Sequence, residues 1–224
     1  MDITALMLAD SRFPGGGHAH SGGVEEAASR GLVSTEDDLP VFLLGRLRTA
    51  GELAAAFAAA AAYAVRHRAA EGFWAALDAE LDARTPSPAQ RAASRAQGAG
   101  CVRVLAALPS VNIYDKCKLG DRPHHCLAVG AAIGCGGGSP GDAAYVLAYL
   151  SVTGPATAAV RLLGLDPLVV NGIVLELGPE IAAVAERAAA GAALEPSELP
   201  APGSPGLDLL AEAHKRAEVR LFAS

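Results

Sequence analysis

Apolar positions recur along most of this chain at the spacing of helices packed on one or more faces. Residues 3–10 read as a short opening helix, and 11–23, with three consecutive glycines at 15–17, as a loop. Residues 24–31 read as one or two helical turns ending at Gly31, a residue suited to the left-handed position after a helix. Ser34 with Asp37 has capping-box-like spacing, and Leu39, Phe42, Leu43 and Leu47 follow in helical phase. Gly51 is expected to break that helix from the next. Residues 52–69 are apolar nearly all round before Arg66, the pattern of a central helix buried on most sides. Phe73, Trp74, Leu77 and Leu81 form an amphipathic stripe over 71–83.

After Thr85-Pro86-Ser87-Pro88 a further helix is expected over 89–107, and 109–123 reads as a polar, mobile connector. Residues 124–135 read as helix, Gly136-Gly137-Gly138 as a break, and Ser139-Pro140 as the start of the next helix. Residues 142–163 and 167–190 read as two long helices, the first bent at Gly154-Pro155. Residues 191–206 are Pro- and Gly-rich and read as an exposed linker, and 207–224 as a C-terminal amphipathic helix with an apolar tail. The pattern predicts an all-α, single-domain bundle of roughly eight to ten helices over 1–224.

Composition agrees. Of 224 residues 51% are apolar, mostly Ala, Leu and Val, while aromatics make up only 4%. Ala and Leu are the best helix formers, and strand-favouring residues are outnumbered. Alanine buries little area, so Ala-rich helices gain stability by approaching each other closely, and such faces suit oligomers. The Ala and Arg bias, with only three Lys, equally fits a base-composition effect.

A net charge of −6 without a basic run disfavours nucleic-acid binding. The first residues carry Asp2 and no basic region, so they do not read as a signal peptide, and four Cys without an export signal suit a reducing cytoplasm. Residues 143–160 carry no charge but are interrupted by Thr153-Gly154-Pro155, which favours a core helix over a membrane span.

No constellation reads as an active site. The Gly-rich loop lacks the Gly-Lys-Ser/Thr ending of a phosphate-binding loop. No nucleophile elbow is present. Glu25-Glu26 and Asp37-Asp38, adjacent on helices, diverge and read as solvated charge. Two metal-ligand candidates remain. His18 and His20 would share one side of an extended segment. Cys117, His124, His125 and Cys126 bring two thiols and two imidazoles within ten residues, although no C-x₂-C pair is among them. Both sets also read as structural residues. Arg161, closing an uncharged helix, could serve a partner GTPase or simply pair within the fold.

Three stretches resemble the UreF family of urease accessory proteins. Pro14, Gly16, Ser21, Gly23, Val24 and Glu25 match the family's opening motif, with His18 and His20 where aromatics are usual. Ser94-Arg95-Ala96-Gln97-Gly98 matches a central Ser and Gln-Gly motif. His214, Arg220, Leu221, Phe222 and Ser224 match the closing motif, with Ala217-Glu218 replacing the usual Gln-Tyr. The resemblance implies a cytoplasmic, dimerising, non-catalytic chaperone that binds UreD (UreH in some species). UreD and this chain would then recruit the GTPase UreG to apo-urease, with nickel in transit and no tightly bound cofactor. It implies partner contacts through the three motifs, including Arg95 and Gln97, and above all through a tail docked on UreD. Deleting 207–224 is expected to abolish UreD binding while leaving most helicity.

Overall fold

The computed structural model describes residues 2–108, 111, 113 and 117–224, with the side chain of Glu71 excepted. The mobile connector expected at 109–123 lies partly outside the described residues.

All regular structure among the described residues is helical. The helices are α1 (Ile3–Ala9), α2 (Val24–Ser29), α3 (Leu39–Arg46), α4 (Glu52–Arg66), α5 (Glu71–Ala83), α6 (Pro88–Leu105), α7 (His125–Gly136), α8 (Pro140–Leu163), α9 (Pro167–Glu176), α10 (Gly178–Ala190) and α11 (Pro205–Arg216). The sequence reading places most of these within one or two residues.

The Ala-rich helix α4 is the centre, packed against α7, α8 and α10. Eight of its alanines are buried. The close approach predicted from alanine is clearest against α7. A Cβ at Gly130 would lie 2.3 Å from the carbonyl oxygen of Ala58, and one at Gly134 would lie 2.8 Å from that of Ala62. Two glycines one turn apart on α7 thus admit the backbone of α4. On α5 the predicted stripe holds, with Trp74, Leu77 and Leu81 buried.

Several expectations are corrected. The capping box is Thr35 with Asp38, one residue later than Ser34 with Asp37, because the carboxylate of Asp38 accepts the amides of both Ser34 and Thr35. Gly51 does not break the chain. It ends a π-helical turn, Leu47–Gly51, that joins α3 to α4 without interruption. Its missing side chain serves packing, since a Cβ there would sit 2.5 Å from Ser151 Oγ. Helix α8, by contrast, is the single helix expected over this stretch, continuous through Pro155. Proline cannot donate to the carbonyl four residues earlier. That carbonyl, Ser151 O, accepts from Arg46 Nε at 3.1 Å instead. The second predicted long helix is split into α9 and α10, which bend by 46° around Leu177. Pro179 opens α10, and its ring excludes a straight continuation.

The stretch 191–206 is not a free linker. Ala192, Pro196 and Leu199 are buried, and Arg84 Nη2 donates to the carbonyls of Ser197 and Leu199 at 3.0 and 3.1 Å. Nor is α11 solitary. Its Glu212 accepts from Ser87 Oγ and the Ala89 amide at the start of α6, and its Asp208 accepts from the Ser87 amide and Gln90 Nε2. Carboxylates at a helix N-terminus are favoured by its unsatisfied amides and its dipole. Helix α8 is long and apolar enough to cross a membrane, yet half of its apolar window is buried in the bundle.

Candidate functional site

The opening and closing motifs, some two hundred residues apart in sequence, meet on one side of the bundle. Glu25 is the hub. It stands in the first turn of α2, which starts from Gly23 in a left-handed conformation (φ +96°). Its carboxylate accepts from the amides of Leu221 at 2.6 Å and Phe222 at 3.0 Å. It also meets His214 Nε2, from α11, at 2.7 Å. Burial raises the energy of the Glu25 anion. The two amides and His214 outweigh it and hold the carboxyl below its ordinary range.

The tail closes the arrangement by pairing with the opening loop. Ala223 N donates to Ala19 O at 2.6 Å, and Ser21 N to Ser224 O at 2.5 Å. His20 Nδ1 lies 2.6 Å from Ser224 Oγ. Phe222 is 5% exposed, under the guanidinium of Arg161, whose carbon lies 4.9 Å from the ring centre. Arg161 also donates to the carbonyl of His18. A cation over an aromatic face is attractive, more so when water is excluded. The intramolecular role foreseen as the alternative for Arg161 is therefore the one it fills here.

The tail thus folds back on its own chain, and Phe222 gains its burial there. Leu221, at 75% exposed, and Val219, at 87%, project outward beside it, with Arg220 also exposed. Pro14 and Gly16 lie at the surface of the loop, Gly16 with φ +85°, while Ser21 is buried. The reading of Glu25 and Glu26 as solvated charge is overturned. Both are largely buried and, as adjacent positions must, they diverge: Glu26 pairs with Arg30 on its own helix at 2.7 Å.

The central motif builds a separate network. Arg95 bridges Asp78 and Asp82 on α5 and donates to the carbonyl of Arg122. Gln97 is half-buried on α6. Its neighbour Gly98 admits the carbonyl of Pro123, which a Cβ would overlap at 1.9 Å. Sequence reasoning missed Asp78 and Asp82. Their spacing of four on an amphipathic helix was the available signal, and they read as ordinary surface charge.

The metal candidates do different work. Residues 17–19 form a 3₁₀ turn, not the extended segment that would aim His18 and His20 one way. His124 is 1% exposed and uses both ring nitrogens: Nδ1 is 3.0 Å from Ser94 Oγ and Nε2 is 2.9 Å from Asp82 Oδ1. Ser94 Oγ also accepts the amide of His125. The network assigns the neutral tautomer with hydrogen on Nε2, since Ser94 then donates to Nδ1. Burial lowers the His124 pKa from its ordinary value despite Asp82, lowers that of His125 to about 4, and raises the Cys126 thiol to about 12. Cys117 is buried. Among the described residues no three His, Cys, Asp or Glu side chains form a metal-holding group. Titration calorimetry with nickel or zinc is therefore expected to give matching isotherms for the native chain and a Cys117→Ala/Cys126→Ala variant. Micromolar binding lost in the double variant would establish the cluster as a metal site.

A UreF family model matches residues 33–178. The protein named "Urease accessory protein UreF" of Mycolicibacterium vanbaalenii is 47% identical over 225 residues, covering 99% of this chain and 98% of the relative. Proteins of the same name from Mycobacterium marinum and Mycobacterium tuberculosis are 43% and 41% identical, each covering 98% of this chain and 97% of the relative. The family model stops short of both terminal motifs. These relatives extend across them.

Proposed function

The chain belongs to the UreF family of urease accessory proteins, and we propose that it acts in the cytoplasm as a non-catalytic bridge that binds UreD and, with it, recruits the GTPase UreG to apo-urease. Nickel is the cargo of that assembly, delivered in a GTP-dependent step whose chemistry belongs to the GTPase. The observation that carries this reading is the convergence of the two terminal motifs into one surface. The buried members, Glu25, His214 and Phe222, fix the tail. The exposed members, Arg220 and Leu221, are left on its outer edge.

An apolar side chain at 75% exposure on an already pinned backbone leaves little backbone freedom to be lost on docking. Burying Leu221 under a partner would contribute about 1.5–3 kcal/mol. Family membership supports an accessory rather than an enzymatic role. A homodimer fits the exposed apolar side chains on neighbouring helices, with Tyr145 and Tyr149 on α8 and Leu168 on α9.

Removing 207–224 is too blunt a test, because it also strips the buried Leu210 and His214 from the bundle. The variant Leu221→Asp removes nothing from the core. It is expected to keep native helicity by circular dichroism and to lose at least about tenfold in UreD capture, the effect of roughly 1.4 kcal/mol. Capture at native strength would refute the tail as the UreD-binding element. Co-purification with UreD, UreG and apo-urease, with and without GTP and nickel, tests the bridge itself.

A further inference from the structure

A cleft of about 420 Å³ opens between α3–α4, α6, α11 and the tail, and the terminal motifs give only part of its lining, Gly23, His214, Arg220 and Ser224. Arg46 forms its floor. The guanidinium is positioned by Pro155, whose missing N–H leaves Ser151 O for Arg46 Nε, while Nη1 donates to Gly22 O at 2.9 Å. Nη2 makes no hydrogen bond among the described residues. Among the described residues no carboxylate pairs with this arginine, and desolvation pulls its pKa down to about 10. Lys215 and Arg220 stand at the exposed rim. Among the described residues lining the cleft there is no Asp or Glu side chain, and the terminal carboxylate of Ser224 is the one anionic group there. Arg46, Lys215 and Arg220 outnumber it, and cations focused in a partly dry cleft concentrate anions.

The remaining walls define which anion fits. Ala50, Ala54 and Ala93 give small apolar surfaces, and Gln90 and Ser94 add neutral polar groups. His20 adds no charge near neutral pH, since burial lowers its pKa. We propose that this cleft binds a small monocarboxylate with a short hydrocarbon body, its carboxylate on Arg46 Nη2 and its chain against the alanines. The volume is in the range of small-molecule sites, which are largely apolar with a few placed polar groups. A single available guanidinium nitrogen suits a monoanion. A phosphate dianion would need several more donors and would leave the alanine walls unused.

The test uses the purified full chain without partners, so its failure leaves the accessory role untouched. Butyrate, acetate, phosphate and chloride are titrated at constant ionic strength, by calorimetry and by thermal melting. Butyrate is expected to bind saturably and raise Tm, acetate to bind more weakly, and phosphate and chloride to show no saturable effect. Arg46→Lys is expected to weaken butyrate about tenfold or more, the effect of one lost charge-assisted hydrogen bond. Arg46 also holds two carbonyls, so a second variant is needed. Ala92→Trp, at an exposed position on the cleft's mouth, should block binding without disturbing the core. Absence of saturable butyrate binding, equal binding of phosphate, or unchanged affinity in folded Ala92→Trp would overturn the proposal.

Discussion

Replacing Gly130 by alanine is expected to destabilise the chain by about 3 kcal/mol and to lower Tm by roughly 6–12 °C. Helix propensity alone gives the opposite sign, because alanine in a helix interior is worth about 1 kcal/mol more than glycine. Packing decides. The new methyl would sit 2.3 Å from the carbonyl oxygen and 2.7 Å from the Cα of Ala58. Both are backbone atoms of the central helix, so no side chain can swing aside. Helices α4 and α7 would have to separate, loosening contacts along both. Gly45, on an exposed face of α3 with nothing within 4 Å of its Cβ position, is the control. Gly45→Ala is expected to raise stability by about 0.5–1 kcal/mol. Thermal melting of both variants reads the two signs. A Gly130→Ala chain as stable as the native one would show that α4 and α7 are not in backbone contact.

This glycine also shows what the sequence discloses and what it does not. The apolar phase of 52–69 marks a buried central helix, and the alanine content announces close approach. Which helix approaches, and at which residues, depends on contacts that no local pattern encodes. Gly51 and Gly130 look alike in sequence, as breakers or weak points, and each is a place where another helix comes near. The terminal motifs were legible as motifs. Their union was not, because Glu25 meets partners 189 to 197 residues away. A carboxylate beside another carboxylate reads as surface charge until the tail is seen folded over it. Arg46 carried a fainter signal, a lone charge in the apolar run of Phe42 to Leu47. Its meaning depended on Pro155, more than a hundred residues on. The metal candidates Cys117, His124, His125 and Cys126 show a related limit of the sequence. Spacing gives ligand types but not direction, and His124 faces Ser94 and Asp82.

Glu25→Ala is expected to release the tail while the bundle stays folded. The carboxylate is the shared acceptor for His214 and the amides of Leu221 and Phe222. Hydrogen bonds to a charged acceptor contribute about 1.5–3 kcal/mol each when measured singly, and bonds sharing one acceptor do not add fully. A net loss of about 3 kcal/mol is a reasonable centre, confined to the tail because the core helices make no use of Glu25. Amide exchange at Leu221 and Phe222 should then accelerate by roughly a hundredfold, with α4 and α7 amides unchanged. Cleavage by trypsin after Arg216 and Arg220 should quicken in step. The pH dependence has a fixed sign. The folded-state pKa of Glu25 lies below its ordinary value. Its contribution is therefore complete above the unfolded pKa and is lost as pH falls through the lower, folded one. Native tail protection should fall away in acid, whereas in Glu25→Gln, which keeps an acceptor oxygen but cannot titrate, protection should be weaker and independent of that titration. If Leu221 and Phe222 stay protected in Glu25→Ala, the tail is held by Phe222 under Arg161 and by its pairing with Ala19 and Ser21 alone. Leu221 would then owe its fixed outward presentation to those contacts.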